Sequence, residues 1–101
     1  MEDDTIELKD NEFLRQFETN IDNELIKLEY SLQERKIFLS KLTIAEERRN
    51  YGTLEKFLTA IFDYILNKGR IRIVPTGKDV AKFFRANKSK YSDLLPIGMN
   101  I

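Results

Sequence analysis

The chain has neither cysteine nor histidine. Disulfides, the usual zinc ligand sets, thiol nucleophiles and imidazole bases are therefore excluded, and any proton transfer falls to carboxylates, lysine, tyrosine, backbone or water. No metal centre is expected. Long hydrophobic runs are also missing, so no segment reaches the length a membrane span needs. Met1-Glu2-Asp3-Asp4 carries neither the positive nor the apolar part of a secretory signal, which leads to the expectation of a cytoplasmic protein with no membrane partner. Net charge is absent too, with 17 basic and 17 acidic residues.

That zero conceals an asymmetry. Residues 1–34 hold eleven acids and three bases, a balance of −8, and residues 35–101 hold fourteen bases and six acids, a balance of +8. The second half has the sign that suits a phosphate-bearing ligand. With 101 residues, 42% of them hydrophobic, and eleven aromatics, the chain has material for one core. The layout expected is an acidic leader over 1–10, a single domain over 11–95 and a short tail over 96–101.

Hydrophobic periodicity supplies the elements. Phe13 and Phe17 predict a strand over 12–19, followed by turn chemistry at Asn20-Ile21-Asp22-Asn23. Ile26, Leu28, Tyr30 and Leu32 alternate with Lys27, Glu29 and Ser31, the pattern of a half-buried antiparallel strand over 24–32. Residues 37–44 read as a third strand with apolar residues on both faces. Leu54, Phe57, Leu58, Ile61 and Ile65 then recur at helical spacing, so 53–67 is predicted as a helix closed by Lys68-Gly69. Ile71, Ile73 and Val74 give a short strand before Pro75, and Val80, Phe83 and Phe84 share one face of a second helix. A strand, helix, strand order predicts a parallel pair with a right-handed crossover. The expected fold class is α/β, a mixed sheet of three antiparallel strands, a helix, a parallel strand and a helix.

The stretch Lys41–Leu58 is the junction around which these elements are arranged. Arginines and a glycine stand where the first long helix begins, and a helix N-terminus offers free N–H groups and partial positive charge to an anion. Ile44-Ala45-Glu46-Glu47-Arg48-Arg49-Asn50-Tyr51-Gly52-Thr53-Leu54 resembles the signature of the GNAT superfamily of acetyl-CoA-dependent N-acetyltransferases, in particular its minimal single-domain members. Arg49 and Gly52 match the signature arginine and second glycine, while Asn50 and Leu54 stand where the first and third small residues belong. Val74-Pro75 and the segment Asn87–Leu94 also look like those members. Lys41 and Gly77 occupy the positions where they commonly carry a histidine and a cysteine.

The resemblance implies binding of acetyl-CoA or CoA and transfer of acetyl to an amine, or a non-catalytic GNAT-like fold that serves as an interaction or structural module. It places the pyrophosphate at Arg49, Asn50, Tyr51, Gly52, Thr53 and Leu54, with Leu42 and Ile44 beside the pantetheine arm and Arg48 among the cofactor-binding residues. Glu46, Glu47, Asp79 and Tyr91 are the candidates for handling protons. Lys78, Lys82, Arg85, Lys88 and Lys90 are the cations available to a further phosphate. Nucleic-acid binding is not expected, because the chain is not basic overall and lacks regularly interleaved aromatics.

Overall fold

A computed structural model of the chain describes residues 6–47, 52–96 and 98. The chain folds as an α/β layer structure with one five-stranded sheet in sequence order: β1 (Lys9–Asn11), β2 (Gln16–Ile21), β3 (Glu24–Gln33), β4 (Lys36–Thr43) and β5 (Arg72–Pro75). The first four strands are antiparallel, and β4 and β5 are parallel, joined through helix α1 (Thr53–Lys68). Helix α2 (Lys78–Ala86) and a single 3₁₀ turn at Ser92–Leu94 follow. No helix among the described residues is long and apolar enough to cross a membrane.

Alternation along the strands decides which face is covered. Phe17, Ile26, Leu28, Tyr30, Ile37, Leu39 and Ile73 are buried on one face, against Phe57, Leu58, Ile61, Phe62 and Ile65 of α1 and Val80, Phe83 and Phe84 of α2. The opposite face is mostly polar apart from Leu25, Phe38 and Val74, and Lys9, Glu18 and Lys27 form an alternating cross-strand row on it. Hydrogen bonds from Gln16 and Asn11 hold the Glu18 carboxyl below the usual carboxylate range. Phe62 is the centre of the helical layer, with ring centroids 4.9 Å from Phe83, 5.2 Å from Phe84 and 5.0 Å from Tyr91.

Two strand assignments differ from the sequence reading. The expected strand over 12–19 is instead a turn at 12–15 followed by β2, because Arg15 takes a left-handed conformation (φ 58°) and the Leu14 N–H bonds the Asn11 side chain. The expected acidic leader contributes β1, and Ile6 and Leu8 pack against the core. The sheet therefore has four antiparallel strands rather than three. Asp22 and Asn23 form a two-residue hairpin with positive φ at both positions, which suits the right-handed twist of β2 and β3.

Apolar residues stand on both faces of β4: Phe38 is half-buried on the face opposite Ile37 and Leu39, and Leu42 shares their face because of a bulge. Leu28 pairs with Leu42 and Tyr30 with Leu39, so Ser40 and Lys41 stand opposite Glu29 alone. This β-bulge shifts the alternation by one: Ile37 and Leu39 face the helices before it, and Leu42 does so after it.

Candidate functional site

The parallel pair ends unevenly. Lys36–Leu39 of β4 pair with Arg72–Pro75 of β5, and there the pairing closes: the Leu39 carbonyl accepts from the Thr76 N–H (3.2 Å), the Gly77 N–H (3.0 Å) and the Thr76 hydroxyl (2.9 Å). Ser40–Thr43 continue beyond it without a β5 partner. The bulge lies at this departure, and the Ser40 hydroxyl bonds the Glu29 carbonyl across it at 3.1 Å. Gly77 starts α2 directly against the bulge, where a Cβ on Gly77 would sit 2.1 Å from the Ser40 carbonyl oxygen.

Helix α1 begins near this end with Gly52 in the left-handed conformation (φ 75°, ψ 0°). An L-residue there costs about 1–2 kcal/mol, so glycine fits the position. The Gly52 carbonyl accepts the first helical bond, from the Lys56 N–H at 3.1 Å. Gly52 itself has no side chain with which to cap the leading N–H groups of α1. A groove of about 410 Å³ runs between the start of α1 and α2, lined by Gly52, Leu54, Glu55, Asp79, Lys82 and Phe83 among others.

Sequence-derived candidates separate on this geometry. Gly52 and Leu54 come together with Lys82 and Asp79 in the groove; Leu54 is half-buried and packs against the core. Thr53 is buried beneath the helix start. Leu42 and Ile44 are half-buried at the end of β4, and Glu46 and Glu47 stand exposed just beyond it. Arg48, Arg49, Asn50 and Tyr51 lie outside the described residues. Lys78, Arg85, Lys88 and Lys90 are exposed and do not line the groove. The described lining carries Glu55 and Asp79 against Lys82, two acids to one base, so its side-chain charge alone does not favour an anion.

Tyr91 lies away from the groove lining. It is buried in the core, its hydroxyl donates to Asp63 at 2.8 Å, and burial followed by that hydrogen bond pushes its pKa well up. No group of candidate metal ligands occurs among the described residues.

A second polar constellation, which the sequence does not signal, lies at the other end of the sheet. The Asp10 carboxylate accepts from Tyr30 (2.5 Å) and Tyr64 (3.0 Å), joining β1, β3 and α1. Burial, then the contact with Asp10, raises the pKa of both tyrosines above the ordinary 10.0. Tyr30, Tyr64 and Tyr91 thus keep protons in the folded chain that the unfolded chain releases. Their stabilisation is complete below pH 10 and is lost as pH rises through the raised values. Urea midpoints are expected to be level to about pH 9 and to fall from about pH 10 upward, with a shallower fall in Tyr91→Phe; a level profile to pH 11 would contradict this assignment.

No protein-family model matches the sequence, and no curated protein is significantly similar to it.

Proposed function

We propose that the chain binds CoA or an acyl-CoA at the end of the sheet where β4 outruns β5, in the manner of a GNAT-like acetyltransferase. The observation that carries this reading is the uneven end itself. A parallel strand with four residues free of its partner, a bulge at the departure point, and a helix start entered through a left-handed glycine all converge there. Crevices at the carboxyl ends of parallel strands are where open α/β sheets take ligands, and bulges free strand groups beside such sites. In this reading the leading N–H groups of α1, with Arg49, hold the pyrophosphate, Lys82 meets a further phosphate, and the pantetheine arm lies along Ser40–Ile44. These roles combine backbone donors with charge-assisted contacts.

Transfer to an amine needs no covalent enzyme intermediate, and the space at Gly77 favours that route. The Ser40 carbonyl leaves no room for a side chain at the position where related small members carry cysteine. The amine nitrogen would form its bond to the acyl carbon as the thioester C–S bond breaks, and Glu46 or Glu47, exposed beside β4, would accept the amine proton.

Thermal unfolding with acetyl-CoA and with CoA tests the binding step. At ligand ten times the dissociation constant, linkage gives about 1.4 kcal/mol, a shift of roughly 5–10 °C for a domain of this size. Arg49→Ala and Lys82→Ala are each expected to weaken binding about tenfold. No shift at about millimolar ligand would overturn the reading, since that is already very weak binding.

A further inference from the structure

The far end of the sheet carries an exposed apolar knob beside an apolar hole. Among the described residues five large hydrophobic side chains are exposed, and four of them lie at this one end: Phe13 (93%), Leu14 (56%), Leu32 (45%) and Leu66 (37%). Phe13 and Leu14 form the tip of the β1–β2 turn. A cleft of about 270 Å³ opens next to them, with Phe17, Leu32, Ile37, Ile65 and Ile71 in its wall and Glu12 and Arg15, the residues flanking the tip, at its mouth. A cavity of roughly 150 Å³ already accommodates benzene, so the cleft has room for a phenyl ring. Asp10 in its lining is already engaged on both oxygens by Tyr30 and Tyr64, so what meets an occupant is the apolar wall and the charges of Glu12 and Arg15 at the mouth.

Charge chooses between occupants. The mouth of the cleft carries one acid, Glu12, and one base, Arg15, a pair that can meet Arg15 and Glu12 of a second copy turned through a two-fold axis. An anionic membrane is disfavoured by the −8 balance of residues 1–34, which supply the knob. A knob and a hole on one surface are what an isologous interface requires, because each copy then offers what the other lacks.

We propose that the chain forms a two-fold dimer in which Phe13 of each copy enters the cleft of the other. The interface lies at the opposite end of the sheet from the β4–β5 crevice and does not depend on the acyl-CoA reading. Light scattering after size exclusion at about 100 μM, a concentration that populates micromolar dimers, should give the mass of two chains. Phe13→Ser removes the knob and Leu32→Arg alters the hole; each should give the mass of one chain with unchanged far-ultraviolet circular dichroism. Both positions are solvent-exposed, so the fold is expected to survive either change. A wild-type monomer, or a dimer that persists in Phe13→Ser, would overturn the proposal. A wild-type monomer that floats with phosphatidylcholine vesicles would overturn it in favour of a membrane as the occupant.

Discussion

Gly77→Ala is expected to destabilise the protein by about 3 kcal/mol, the upper part of the range for overpacking a fixed site. Conformation is not the reason: Gly77 has φ −82° and ψ 147°, which any residue adopts. The reason is space. A methyl group there would meet the Ser40 carbonyl oxygen at 2.1 Å, and that oxygen belongs to a strand bulge held on its other side by β3. Relief requires α2 to move away from β4, which would strain the bonds from the Thr76 and Gly77 N–H groups to Leu39 and disturb the seating of Val80 and Phe84. Urea unfolding should show a large drop in midpoint; a loss below about 1 kcal/mol would mean that the junction between bulge and helix yields easily.

Phe62→Ala should cost more, about 3–5 kcal/mol, the usual range for emptying a buried aromatic site. Its ring is fully buried and is the contact shared by Phe83, Phe84 and Tyr91, so truncation removes three aromatic pairs at once. The Phe83 and Tyr91 rings are 6.2 Å apart and leave little scope to collapse into the space. Against a total stability of about 5–15 kcal/mol for a typical domain, that loss is expected to leave the variant marginal at 37 °C. A midpoint close to wild type would show that the aromatic cluster repacks and that Phe62 is not its centre.

Local patterns were enough to find β3 and α1. The alternation from Ile26 to Leu32 and the stripe from Leu54 to Ile65, closed by Lys68-Gly69, predict both elements to within a residue at each end. β1 was not legible because its inward residue is an acid: Asp10 is placed by hydrogen bonds to Tyr30 and Tyr64, 20 and 54 residues away, and no local period encodes that. Phe13 misled for the opposite reason. An aromatic four residues before Phe17 fits strand alternation, yet the turn over 12–15 contains neither glycine nor proline and leaves Phe13 in solvent.

In the sequence the bulge is a change of parity, Ile37 and Leu39 followed by Leu42 and Ile44, but Phe38 between them also fits a strand with two apolar faces, and the structure has both a bulge and a half-buried Phe38 on the second face. At the candidate site, chain order alone suggested that Gly52 and Leu54 lie near the strand ends. That Lys82 joins them while Lys78 and Arg85 do not depends on how α2 packs against α1, which only the assembled layers determine.

The location of CoA binding tests the central claim most directly. In a titration of ¹⁵N-labelled protein with CoA, the amide signals expected to move are those of Ser40–Ile44, the first turn of α1 from Gly52, and Lys82, with Arg15, Tyr30 and Lys68 at the far cleft unchanged. Saturable shifts confined to the first set are the expected result. No shifts at about millimolar CoA, or shifts centred on the far cleft, would contradict the assignment of the β4–β5 crevice as the ligand site.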